Sequence, residues 1–126
     1  MITEGDTQDI VYSIVKSLGL PVIQGDTKNY SSKPRVVVHA HKQEREKQWM
    51  KNFLEVNVVM PDVANEAQRA KLKEYETQLK DMFYEDTVGT YKGSGYLIEL
   101  QSLGIVEDTT LKSHFVNCKL LFSTLR

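Results

Sequence analysis

The fold of this chain is decided by the stretch WMKNFLEVNVVMP, which occupies residues 49–61. Its side chains alternate between two sides, as they do along a β-strand, and the proline at the end stops the run. One side carries Met50, Leu54, Val56, Val58 and Met60, and the other carries Trp49, Phe53, Glu55, Asn57 and Val59. The stretch therefore predicts a long strand with one apolar face and one mixed face.

A second strand is predicted just before this stretch, over Arg35–His41, where β-branched residues follow Pro34. The two strands are separated by a charged segment, Lys42–Gln48. That separation is short enough for a hairpin. We therefore expect the two strands to pair in antiparallel fashion, with the charged segment as their connection.

The N-terminal part of the chain predicts an amphipathic helix over Asp6–Leu18, because its apolar residues recur at helical spacing. Asp6 or Thr7 is the expected N-cap. A short apolar stretch, Leu20–Ile23, is compatible with one short strand. The following run, Gln24–Asn29, is rich in turn-forming residues and predicts a connection.

A second helix is predicted to end at about Phe83, and Asn65 with Gln68 resembles a capping box at its start. Its apolar stripe consists of Leu72, Tyr75, Leu79, Met82 and Phe83. The segment after it, Glu85–Gly95, contains three glycines and predicts a flexible loop. The helix should pack its stripe against the apolar face of the sheet.

Two further strands are predicted over Tyr96–Gln101 and His114–Phe122. With 126 residues, the chain has room for one compact domain, residues 1–126. The expected fold class is α+β: a mostly antiparallel sheet of four strands, or slightly more, with two helices packed on one face. The other face is then left for solvent or a partner.

Composition excludes several classes of function. Sixteen Lys and Arg against seventeen Asp and Glu leave a net charge of −1, which disfavours nonspecific binding to nucleic acid or to an anionic membrane. No apolar run approaches the roughly 18 residues of a membrane-spanning helix. The single cysteine, Cys118, cannot close an internal disulfide, and no signal peptide is recognisable. A soluble protein of a reducing cytoplasm is therefore expected.

Four side chains are candidate metal ligands. His39 and His41 lie two apart on a strand and share a face, as do His114 and Cys118 on another strand. His114 and Cys118 share their strand face with apolar residues, whereas His39 and His41 lie on the face opposite the apolar one. The two pairs are thus expected on opposite sides of the sheet, and we predict no metal site.

No catalytic or cofactor-binding motif is recognisable. The segment Gly89–Gly95 contains glycines, hydroxyls and Lys92, but a phosphate-binding loop needs the lysine after the glycine and a helix after the loop. No Ser94-centred nucleophile elbow is present. Several carboxylates lie in predicted turns or near helix ends, where they are explained without catalysis. These are Asp62, Glu66, Glu85, Asp86, Glu107 and Asp108. We therefore predict that the chain is not an enzyme and binds no cofactor.

The one electrostatic signal is a surplus of basic residues between Lys33 and Lys51, where six basic residues stand against two acidic ones. Such a segment either keeps a hairpin soluble or docks a partner. The alternation of the strand places its aromatic residues on the mixed face. The candidate interface residues are Arg45, Lys47, Trp49, Lys51 and Phe53.

The order of elements resembles the small tail-terminator or tail-completion (head–tail joining) proteins of long-tailed bacteriophages. The resemblance spans most of the chain and rests on element order rather than on a short motif. It is carried by Ile10–Leu18, Val36–His41, Phe53–Met60, Gln68–Phe83, Tyr96–Gln101 and Phe115–Phe122.

This resemblance implies a structural protein without chemistry. Its subunits would assemble into a ring, commonly a hexamer, that caps the tail tube and joins it to the head connector. It implies partners among tail-tube and head-connector proteins, and neither a membrane nor a specific nucleic acid. It also implies a place in the host cytoplasm during assembly and in the neck of the virion afterwards, encoded by a phage or a prophage.

An alternative function comes from a different class, a small α+β binding module with a nucleic-acid or regulatory protein partner. Trp49 and Phe53 could stack bases. The net charge of −1 and the acidic residues Glu55 and Glu99 on nearby strands argue against binding to phosphates.

Overall fold

The computed structural model describes residues 1–24, 33–108, 110 and 112–125. Two helices and seven strands make up these parts of the chain. In order they are α1 (Glu4–Val15), a 3-10 turn (Lys16–Leu18), β1 (Val22–Gln24), β2 (Arg35–Ala40), β3 (Glu44–Glu46), β4 (Trp49–Pro61), α2 (Arg69–Phe83), β5 (Thr87–Tyr91), β6 (Ser94–Asp108) and β7 (Ser113–Leu125).

The seven strands of the described residues form one mixed sheet, which runs β1-β2-β4-β7-β6-β5, with β3 paired to β4 alongside β2. Strand β1 is parallel to β2, and the other pairs are antiparallel. The protein is therefore α+β with two helices, as expected, and its sheet of seven strands among the described residues is larger than the expected mostly antiparallel sheet of four strands or slightly more. The long strands β4, β6 and β7 form its centre.

The predicted pairing of β2 with β4 is confirmed, with Val38 opposite Val56. On the far side of β4, Val56 faces Cys118 of β7. These three residues share the apolar face of the sheet, and both helices pack against that face in a single core. Its fully buried members include Val11, Val15, Leu72, Leu79, Phe83, Leu54, Val58, Val116, Leu120 and Phe122.

We call the sheet face opposite the helices the open face. It is not wholly exposed, because Val37 and Val59 retain only 1% and 7% of their accessible surface and Arg35 retains 5%. The expectation that this entire face is left for solvent or a partner is thus wrong for the part formed by β2 and the end of β4. Trp49 and Phe53, at the other end of β4, are 40% and 38% exposed.

Both predicted helix starts are wrong. The capping box belongs to α1, where Thr3 is the N-cap, its Oγ1 accepts from the Asp6 amide and the Asp6 carboxylate accepts from the Thr3 amide.

Helix α2 begins at Arg69, and its N-cap, Gln68, makes no side-chain capping bond. Gln68 instead donates to the Pro61 carbonyl, and Asn65 is left-handed, with φ of 64°. The pattern Asn65-x-x-Gln68 therefore forms a turn.

The predicted flexible loop at Glu85–Gly95 is also wrong, since most of it forms β5 and the start of β6. The charged connection Lys42–Gln48 likewise contains the short strand β3. The short strand allowed for at Leu20–Ile23 is present as β1. The turn predicted over Gln24–Asn29 lies, apart from Gln24, outside the described residues.

Candidate interface on the hairpin arm and open face

We define the hairpin arm as residues 42–53, which comprise β3, a tight turn and the first part of β4. Glu46 pairs opposite Trp49 across the turn, and Lys47 adopts the left-handed conformation with φ of 55°. Nζ of Lys51 lies 3.7 Å from Oε2 of Glu46, which ties the two strands of the arm together. All residues from Glu44 to Trp49 are exposed.

Apolar side chains on the open face extend from this arm. Trp49 lies opposite Leu125, which is 55% exposed, and Phe53 lies opposite Leu121. Nζ of Lys119 lies 4.3 Å from the centroid of the Phe53 ring, a distance typical of a cation–π contact. The arm thus presents two partly exposed aromatic rings. Aromatic side chains are enriched in protein interfaces, where they commonly anchor the partner.

A polar cluster lies beside these aromatic residues. Nε2 of His41 is 2.7 Å from Oε2 of Glu55, and Nδ2 of Asn117 donates to Oε1 of Glu55 at 3.1 Å and to Oδ1 of Asn57 at 2.7 Å. The His39 ring contacts that of His41 edge to face. The hydrogen bond from His41 lowers the pKa of Glu55, partial burial opposes this, and Asn117 adds to the lowering. The cluster therefore holds a carboxylate in its charged form.

The arm and the polar cluster enclose a shallow groove of about 690 Å³. Residues of both signs line it, together with one aromatic ring. They include His41, Arg45, Lys51, Phe53, Glu55 and Lys119. A groove of this kind can take up a charged side chain or an anionic ligand, but the geometry presents no paired nucleophile and base.

The five predicted interface residues all lie on the arm, and the structure brings three of them together. Arg45, Lys51 and Phe53 line the groove, whereas Lys47 and Trp49 lie at the tip of the arm and do not. The sequence analysis missed Glu55, Asn117 and Lys119 as parts of this site. The register of β4 against β7 brings these three residues together, and no local sequence pattern predicts that arrangement.

The candidate metal ligands are divided as predicted. His39 and His41 lie on the open face, whereas His114 and Cys118 are on the side of the helices. Nδ1 of His114 lies 2.8 Å from Oδ1 of Asp62. Burial raises the pKa of the Cys118 thiol to about 12. Among the described residues, no three His, Cys, Asp or Glu side chains are grouped so that they could hold a metal ion.

The glycine-rich segment forms a β-hairpin. Lys92 and Gly93 make its turn with φ of 49° and 82°, and a strand rather than a helix follows. Nζ of Lys92 lies 3.8 Å from Oδ1 of Asp6 at the start of α1. The lysine thus links the hairpin to the first helix, and the geometry is not that of a phosphate-binding loop.

Comparisons with known proteins bear on the fold alone. No family model matches the chain, and no curated protein matches it. Twenty-three chains of solved structures match. In one of them the likeness covers 98% of this chain and 92% of the other, with a TM-score of 0.62 and 16% sequence identity. In the described residues, no helix is long and apolar enough to cross a membrane.

Proposed function

We propose that this protein is a structural subunit of a long-tailed phage or prophage particle, which assembles into a ring, most simply a hexamer, at the neck. The ring would join the tail tube to the head connector. The role requires no catalysis, cofactor or metal. The observation that carries the proposal is the exposed arm, which presents Trp49 and Phe53 on the open face at 40% and 38% exposure.

The two faces of the sheet support this role. Most of one face is covered by the helices in a single core, so the buried residues of that face are not available to a partner. The arm and the exposed part of the open face form a separate surface with aromatic and charged side chains. A ring subunit needs different surfaces for its neighbours and for the components above and below it.

The order of elements also supports the proposal. An N-terminal helix, a hairpin with a charged connection, a second helix and a pair of closing strands are all present in the described residues, as in the tail-terminator family. Such a subunit would be made in the host cytoplasm and would reside in the virion neck.

The test is the native mass of the purified protein, measured by light scattering over a range of concentrations, with electron micrographs of the same samples. The chain mass is 14.4 kDa, so a ring is recognised as a fixed multiple of that value. We expect rings, either alone or at the ends of purified tail tubes. A strictly monomeric protein at its highest soluble concentration, without rings beside tail tubes, would contradict the proposal.

A second candidate function is a binding module for single-stranded nucleic acid, favoured by the groove where Lys119 covers the ring of Phe53 and Arg45 and Lys51 lie close by. The carboxylate of Glu55 in the same groove opposes it. Fluorescence anisotropy with labelled oligonucleotides separates the two functions. Binding that weakens with salt and is lost in Phe53→Ala would favour the module, whereas no binding together with self-assembly favours the ring.

A further inference from the structure

We draw no further inference here: the strongest candidate, the groove between the hairpin arm and the open face, belongs to the site already described, and because basic side chains such as Lys51 and acidic ones such as Glu46 line it together, nothing in the structure shows what covers it.

Discussion

The phenol ring of Tyr96 on β6 lies directly over Gly89 on β5, in the space that any side chain at position 89 would occupy. The same ring stacks on Phe122 of the core at a centroid distance of 5.2 Å. Gly89 is therefore required by packing rather than by a left-handed backbone, since its φ is not positive. An aromatic ring that covers a cross-strand glycine is a known way to fix the register of an edge strand.

Gly89→Ala should consequently destabilise the protein by about 1–3 kcal/mol, the usual cost of overpacking, because Tyr96 must leave its position against Phe122. Urea denaturation followed by fluorescence measures this change. Gly104→Ala is the matched control on β6, since a Cβ at that position meets no atom within 4 Å. Equal stabilities of the two variants would contradict the packing role of Tyr96.

The same pair explains why β5 was missed in the sequence. Three glycines in Glu85–Gly95 suggested a flexible loop, yet only Gly93 among them needs a positive φ. No local sequence pattern explains Gly89. Its role becomes clear only when the strand register places Tyr96 opposite it. Strand β3 was not predicted for a related reason. Edge strands often carry charged residues, and in a sequence such residues otherwise indicate a loop.

The elements that were predicted correctly are those with a regular apolar period. Strands β4 and β7 carry one apolar face each, and α2 carries one apolar stripe, so these patterns follow from burial on one side. Strand β2 is buried on both faces and was predicted from its β-branched residues instead. The parallel strand β1 is too short to show a period. In the candidate site, the aromatic residues of β4 could be predicted, whereas the bonds of Glu55 to His41 and Asn117 depend on contacts 14 and 62 residues apart.

Trp49→Ala should weaken self-assembly and leave the stability of the monomer nearly unchanged. Trp49 is 40% exposed and is not part of the buried core, and an aromatic anchor at an interface often contributes about 2 kcal/mol or more. The thermal midpoint is measured on dilute monomer, so that association does not contribute. Phe83→Ala, in the core, is the contrasting variant and should lose about 3–5 kcal/mol of stability. A large fall in the midpoint of Trp49→Ala with intact assembly would place Trp49 in the core.

Glu55 should make stability depend on acid pH. Its pKa in the folded protein is lower than the ordinary value of 4.5, chiefly because of the hydrogen bond to His41. The stability that this carboxylate contributes is therefore present above pH 4.5 and is lost as the pH falls through the lowered pKa. The thermal midpoint is measured between about pH 3 and 7, a range that includes the ordinary pKa of a glutamate. As the pH falls, the midpoint should decrease less steeply in Glu55→Gln than in the wild type. Glu74→Gln, on the exposed side of α2, controls for the loss of one charge, and a slope like that of Glu55→Gln would contradict the assignment.

Cys118 should be inert in the folded protein. The residue is fully buried, and burial raises the pKa of its thiol to about 12, so neither access nor thiolate is available to a thiol reagent. We expect labelling with a chromogenic disulfide to proceed only in denaturant. Cys118→Ser should cost about 1–3 kcal/mol by placing a hydroxyl in the apolar core, and Cys118→Ala should cost less if its small cavity collapses. Rapid labelling of the native protein would show that the core opens at this position.

A buried polar pair joins α1 to the sheet beside the apolar contacts of the core. Nδ2 of Asn52 donates to Oγ1 of Thr7 at 2.9 Å, and these residues are 3% and 0% exposed. Oγ1 of Thr7 also donates to the Glu4 carbonyl, whereas Oδ1 of Asn52 has no hydrogen-bond partner in the described residues. The two partners are therefore unequal: removing Thr7 leaves the whole amide of Asn52 unsatisfied, and removing Asn52 also removes an atom that was unsatisfied already.

Thr7→Val, which preserves shape, should accordingly cost about 1–3 kcal/mol, and Asn52→Val should cost less. In the double variant both polar groups are gone, so its loss should be smaller than the sum of the single losses. Urea denaturation of the four proteins gives this coupling directly. Ser13→Ala serves as the control on α1, because the Ser13 hydroxyl is exposed and bonds only within the helix, to the Asp9 carbonyl. Additive losses, or a larger loss from Asn52→Val than from Thr7→Val, would show that the amide of Asn52 does not depend on Thr7 for its stability in the core.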